Sequence, residues 1–121
     1  MIWAKQLVEK ARDVNGVKVV TAVMPLSPAA AKDLAFKIRA AVEGSLLCVL
    51  GTHENQKPQL SIMMSDDMVS DHGLNAGQMV REAAKLIQGG GGGQPHYAQA
   101  GGKSVDGLSA AVDKVIELAK L

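Results

Sequence analysis

A run of five consecutive glycines, residues 89–93, constrains the fold of this chain more than any other feature. A glycine inside an ordered element costs roughly 0.5–1 kcal/mol relative to alanine, because it loses more backbone freedom on folding. Five ordered glycines would therefore use a sizeable part of the ~5–15 kcal/mol by which a domain is stable. Such a run is either a flexible linker or a bare stretch of main chain that a large polar ligand approaches closely.

The position of the run favours the close-approach explanation. Linkers separate domains, yet only 19 residues follow Gly102, which is enough for one helix and too few for a domain. The glycines therefore lie inside a domain, between a helix predicted over 77–87 and a final helix predicted over 104–121.

The hydrophobic pattern upstream of the glycines predicts a parallel βαβ unit. Residues 17–24 are rich in β-branched side chains, and residues 45–51 carry five successive apolar positions, as strands of a covered sheet do. Between them, Ser27 followed by a proline is a helix start signal, and the helix is expected to run to about residue 43. A strand–helix–strand order of this kind forms a right-handed crossover.

The rest of the chain completes a small α/β domain. Residues 59–65 alternate apolar and polar positions and follow a polar loop over 53–58, which predicts a strand antiparallel to the one before it. The predicted fold class is a small mixed sheet flanked by helices, with a glycine-rich loop before the C-terminal helix. The remaining predicted elements are a first helix over 2–14, an extended segment over 95–100, and the final helix with Ser104 as its cap.

Composition limits the kind of core and the kind of partner. Apolar residues make up 47% of the chain and aromatic residues only 2%, so the core is expected to consist of aliphatic side chains. The net charge of +1 means that nucleic-acid binding would need a local basic cluster. Cys48 lies in an apolar run and is expected to be a buried, free thiol, as in a reducing cytosol. The sequence shows neither an apolar stretch of about 20 residues nor a signal peptide, so we predict a cytoplasmic protein without a membrane partner.

Two sets of residues offer catalytic or metal chemistry, and neither has the required spacing. The sets are Asp66, Asp67, Asp71 with His72, and His53, His72, His96 with Cys48. Residues 102–104 match the end of a phosphate-binding P-loop, but its opening glycine would fall on Tyr97. We therefore predict no catalytic residue and no metal site.

The glycine run and its neighbours suit a nucleic acid better. Bare amides can donate to phosphates, aromatic and imidazole rings can stack on bases, and glutamine amides can pair with base edges or ribose. Tyr97 could equally pack beneath the glycines, and that alternative stays open. The predicted nucleic-acid-binding residues are Gly89, Gly90, Gly91, Gly92, Gly93, Gln94, His96, Tyr97, Gln99 and Lys103.

The segment GGGGGQPHYAQAGG, followed by an amphipathic helix, resembles the extreme C-terminus of bacterial alanyl-tRNA synthetases. That region is a DHH-associated domain, a module shared with DHH-family phosphoesterases such as the RecJ exonuclease. The run AQAGG at 98–102 favours the synthetases. This chain has Gln94 where many synthetases have arginine, so the resemblance assigns no phosphate contact there. The matching residues are Gly90 to Gly93, Pro95, Ala98, Gln99, Ala100, Gly101 and Gly102.

The resemblance implies a non-catalytic module that contacts the outer corner (the elbow) of tRNA-Ala. It implies partners in the aminoacylation and editing domains of the same chain, which would use ATP, Mg²⁺ and zinc, whereas this fragment would need no cofactor. Residues 1–15 would be a helical stub of an upstream dimerisation region, pointing to a homodimer, and residues 16–121 the globular domain. The alternatives are the substrate-binding half of a RecJ-like phosphoesterase and a protein-interaction module using the first helix.

Overall fold

The computed structural model describes the backbone of residues 2–121 and the side chains from Ala4 onward. The helices are α1 (Ile2–Glu9), α2 (Pro28–Ala41), α3 (Asp66–Ser70), α4 (Ala76–Ala84) and α5 (Leu108–Ala119). The strands are β1 (Arg12–Val14), β2 (Val17–Met24), β3 (Leu46–Glu54), β4 (Lys57–Met64), β5 (Gly90–Gly93) and β6 (Tyr97–Gly101). Short 3₁₀ turns follow α4 at Lys85–Ile87 and precede α5 at Val105–Gly107.

The strands form one six-stranded mixed sheet in the order β1-β2-β3-β4-β6-β5. Strands β2 and β3 are parallel, and every other neighbouring pair is antiparallel. Ser27 caps α2, because its hydroxyl oxygen accepts a hydrogen bond from the amide of Ala30 at 3.2 Å. The predicted fold class, with its parallel βαβ unit and antiparallel hairpin, is confirmed.

Helices cover the sheet on both faces, and the side chains of each strand alternate between two cores. Helices α4 and α5 pack over one core, which includes Leu47 and Val49 of β3. Helix α2 packs over the other with α1, and Leu46 and Cys48 point into that core. This explains why β3 is apolar at successive positions. Burial raises the pKa of the Cys48 thiol to about 12.

The β3–β4 connection is tighter than the predicted loop over 53–58. Pairing continues to Glu54 opposite Lys57, so only Asn55 and Gln56 form the turn. Both have positive φ angles, +53° and +65°. Two successive positive φ angles are the mark of a type I′ turn, whose twist matches that of the strands it joins.

The first predicted helix is shorter than expected. It ends at Glu9, and Arg12–Val14 forms strand β1, paired with β2. The cause is the turn at Asn15 and Gly16, where φ angles of +52° and +84° reverse the chain into a hairpin. Ala4 is buried in the core beneath α2. The division of the chain at residue 15 stays a prediction.

Two features of the C-terminal part differ from the prediction. The sequence predicts a loop for the glycine run, but Gly90–Gly93 forms the edge strand β5. Backbone hydrogen bonds to β6 hold this strand in place, because its glycines have no side chains to pack. Ser104 does not cap the last helix: its side chain makes no capping hydrogen bond, and α5 begins at Leu108. None of the helices described is long and apolar enough to cross a membrane.

Candidate nucleic-acid interface

Strand β5 lies so close to β6 that alternate glycines leave no room for a side chain. A Cβ on Gly91 would overlap the carbonyl oxygen of Gln99 and stand 2.6 Å from the Cα of Ala100. A Cβ on Gly93 would stand 2.7 Å from the carbonyl oxygen of Tyr97. A Cβ on Gly89 would likewise overlap the backbone of β6. These glycines are therefore required by the sheet itself, with or without a ligand.

Besides β6, helix α4 also packs closely against β5. A Cβ on Gly77 would lie 3.1 Å from the carbonyl oxygen of Gly93, and one on Gly92 would lie 3.2 Å from the guanidinium of Arg81. The amide of Gly89 donates to the carbonyl of Ala84 at 3.0 Å. An edge strand is an aggregation hazard when it is bare, and here α4 covers much of it.

Gly90 and Gly101 have no such internal reason to be glycine. They stand opposite each other in the β5–β6 register. A Cβ on either would meet nothing within 4 Å, and neither has a positive φ angle. The structure therefore places two bare positions side by side where side chains would fit. A ligand would explain this pair, of which Gly90 is a predicted binding residue and Gly101 is not.

The pair belongs to an uncovered part of the sheet. Helix α2 packs over β3 and β4, and Tyr97 is the β6 residue packed against that core. Antiparallel partners share a face, so Gly90, Gly92, Gln99 and Gly101 lie on the same side as α2, at the margin of that helix. We call these four residues the open face.

Two adjacent clefts border the open face. The larger, of about 560 Å³, is lined by Lys57, Gln59, Gly89, Gly101, Gly102 and Lys103 among others. The smaller, of about 320 Å³, is lined by Lys32, Phe36, Gly92, Gln94, His96 and Gln99 among others. Both volumes fall within the range of about 300–1,000 Å³ typical of ligand sites.

Most of the predicted binding residues reach one of these clefts. Gly89 and Lys103 line the larger, and Gly92, Gly93, Gln94, His96, Tyr97 and Gln99 line the smaller. Gly91 faces the backbone of β6 and Gly90 lies on the open face. The side-chain amide of Gln99 donates over long distances, 3.5 Å to the Pro28 carbonyl and 3.4 Å to the Ser61 hydroxyl. Hydrogen bonds of this length are weak, so the Gln99 amide can give them up for hydrogen bonds to a ligand.

Tyr97 is a packing residue more than a stacking surface. Its ring is half-buried and lies against Phe36, with ring centroids 5.3 Å apart and planes at 47°. Its hydroxyl is buried and makes no hydrogen bond of ordinary geometry with a described residue. Burial raises the pKa of Tyr97 to about 12, although the nearby Ser61 hydroxyl offsets part of the effect.

Phe36 and Lys32 also line the smaller cleft, and the sequence analysis does not single them out. Phe36 is 44% exposed, and Lys32 precedes it by one helical turn. The sequence does indicate that Phe36 is exposed. Position 36 lies off the apolar face of the helix, which is formed by Ala31, Leu34, Ala35 and Ile38.

The acidic residues considered for catalysis have structural partners. Asp66 pairs with Arg39 at 2.8 Å. Asp67 accepts hydrogen bonds from the hydroxyls of Ser45 and Ser65, and these bonds hold the pKa of Asp67 below its ordinary value. Across residues 2–121, no three His, Cys, Asp or Glu side chains are grouped so as to hold a metal ion.

The protein-family comparison decides the family. The profile described as the DHHA1 domain matches residues 16–121. The chain belongs to the DHHA1 domain family. This DHHA1 domain is 50% identical over 115 residues to alanine–tRNA ligase from Bacteroides fragilis, and 40% identical over 120 residues to that from Porphyromonas gingivalis. Those alignments cover 95% and 98% of the domain but only 13% and 14% of the relatives, so the chain spans about one-eighth of their length.

Solved structures confirm the resemblance to the synthetase C-terminal domain. The C-Ala domain from Aquifex aeolicus alanyl-tRNA synthetase superposes with a TM-score of 0.78 at 27% identity, covering 92% of this DHHA1 domain and 98% of that chain. A DHH-domain member of the s1p family of ribosomal proteins superposes with a TM-score of 0.69 at 14% identity, covering 99% and 30% of the two chains. The second likeness is one of fold alone.

Proposed function

We propose that this domain is a non-catalytic tRNA-binding module of an alanine–tRNA ligase and that it rests on the elbow of tRNA-Ala through the open face. The observation that carries the proposal is the bare pair Gly90 and Gly101. The glycines that alternate with Gly90 are required by the close strand pairing, whereas these two leave open space that a ligand could enter. The homology to alanine–tRNA ligases supplies the class of ligand.

The charges around the open face support an RNA ligand. Lys57 and Lys103 line the larger cleft and Lys32 lines the smaller. None of the three pairs with an acid among the described side chains. Glu54 is the acidic residue in the larger cleft. This gives a local positive cluster on a domain with a net charge of only +1, and phosphate contacts need such a cluster.

The domain would act as one contact among several. In the parent enzyme its partners would be the aminoacylation and editing domains, in the cytoplasm, and a second copy if residues 1–15 belong to a dimerisation helix. ATP, Mg²⁺ and zinc would serve those domains, and this domain would use no cofactor. A tethered module of modest affinity still contributes strongly, because the tether raises its effective concentration at the tRNA.

The test is a titration of tRNA-Ala with the wild-type chain and with Gly90→Val. Valine suits a strand and meets open space, so folding should be retained. We expect at least about 10-fold weaker binding, since the new side chain holds the RNA away from the backbone. The matched control is Thr21→Val, which puts a valine on an exposed site of β2, next to Val49 and on the sheet face opposite the open face.

Equal affinities of Gly90→Val and the wild-type chain would contradict the role of the open face. With three lysines available, the slope of log affinity against log salt should lie near −2 to −3. Tighter binding of unstructured single strands than of tRNA-Ala would instead favour the RecJ-like alternative.

A further inference from the structure

We infer that Phe36, which lines the smaller cleft, is the residue on which an RNA base stacks. This inference rests on the proposed function and adds to it a second element, α2, and a specific kind of contact. Three large apolar side chains are strongly exposed among the described residues: Val23, Phe36 and Leu86. Phe36 is the aromatic one, and it lines a cleft shared with the predicted binding residues.

The ring of Phe36 is held in place for such a contact. It lies against Tyr97, with ring centroids 5.3 Å apart, so one part of its surface is packed. The rest is open, since 44% of the residue is exposed. Tyr97 in turn packs against the core beneath α2, with its hydroxyl end buried. A ring supported in this way loses little freedom when a base stacks on it, which favours binding.

The surroundings of Phe36 suit a base and not a purely apolar partner. Lys32 lies one turn away on α2 and has no acidic partner among the described side chains, so it can meet a phosphate. Gln94 and His96 border the same cleft and can pair with base edges. The cleft of about 320 Å³ lies at the small end of the range for ligand sites, as expected for a single base or the end of a base pair.

The experiment compares Phe36→Leu and Phe36→Trp in tRNA-Ala titrations. Leucine keeps an apolar side chain over Tyr97 but removes the ring, and tryptophan keeps a ring. We expect Phe36→Leu to weaken binding roughly 5- to 150-fold and Phe36→Trp to bind about as well as the wild-type chain or better. Thermal unfolding of each variant separates lost binding from lost folding.

A second readout detects the stack itself. Trp3 is the one tryptophan of the sequence, so Trp3→Phe combined with Phe36→Trp leaves a single reporter at position 36. Its fluorescence should be quenched by saturating tRNA-Ala. Unchanged binding of Phe36→Leu, or an unquenched Trp reporter in a bound complex, would overturn the inference. If Gly90→Val is then still impaired, the proposed function survives; if the wild-type chain itself does not bind tRNA-Ala, both fail.

Discussion

At the scale of single residues, the five glycines are not equivalent. Gly89, Gly91 and Gly93 lie against the backbone of β6, and Gly92 lies against Arg81. Only Gly90 has free space beside its Cα. The cost of ordering the run is therefore offset mainly by a close strand pairing. Within the run, free space for a side chain is confined to Gly90, and its partner Gly101 on β6 has the same free space.

This difference predicts opposite outcomes for two alanine substitutions. Gly91→Ala should destabilise the domain by about 2 kcal/mol or more, because its Cβ would overlap rigid backbone. Gly90→Ala should change stability by no more than about 0.5 kcal/mol. Urea unfolding of the two variants checks this, and equal destabilisation would show that the β5–β6 spacing is not as described.

The buried thiol of Cys48 predicts a loss of stability in alkali. Its pKa rises from an ordinary value of 9.0 to about 12 on folding, so the folded state retains a proton that the unfolded state releases. The contribution is complete below about pH 9 and is lost as pH rises toward 12. At pH 10 the loss is on the order of 1 kcal/mol. Urea unfolding at pH 8 and pH 10 measures it.

The matched variant for that measurement is Cys48→Ala. It removes the titrating group and should show a smaller difference between pH 8 and pH 10, whatever its stability at pH 8. Tyr97 contributes less to the stability difference between pH 8 and pH 10. Its pKa rises from 10.0 to about 12 on folding, so its phenol begins to lose its proton in the unfolded state only near the top of that range. An unchanged pH difference in Cys48→Ala would rule out the thiol as the cause.

At the scale of elements, the predictable parts are those with a side-chain pattern. The apolar run of β3 and the Ser27 cap of α2 are sufficient to predict the βαβ unit. Strand β5 has no such pattern, because glycine carries no side chain and is disfavoured in strands. Its order comes from β6 and α4 on either side, which sequence reasoning does not bring together. The same holds for Phe36, whose outward position is predictable and whose proximity to the glycines is not.

The β3–β4 turn predicts a stabilising substitution. Gln56 has φ +65°, a left-handed conformation that costs a residue with a Cβ about 1–2 kcal/mol. Gln56→Gly also creates the Asn-Gly pair preferred in type I′ turns, so the free energy of unfolding should rise by about 0.5–1 kcal/mol. Gln56→Ala keeps the Cβ and should bring no gain. Urea unfolding measures the stability of both variants. A glycine variant no more stable than the alanine variant would contradict the type I′ geometry of this turn.

At the scale of the whole molecule, the domain is three-layered, but one layer is incomplete. Helices α4 and α5 cover their face of the sheet from β2 to β5, whereas α2 packs mainly over β3 and β4 and meets β6 at Tyr97 and Gln99. On the face of α2, strands β5 and β6 expose main chain and small side chains between two clefts. Under the proposed function, an incomplete layer beside a basic cluster would allow a near-neutral domain to offer a surface to RNA.

The most direct test is to follow the backbone amide resonances of the labelled chain during a titration with tRNA-Ala. The resonances of Gly90, Gln99 and Gly101 should shift or broaden first, together with those around Phe36. Amides of α5, on the opposite face, should change little. Perturbations centred on α5, with the glycine amides unaffected in a saturated complex, would contradict the account.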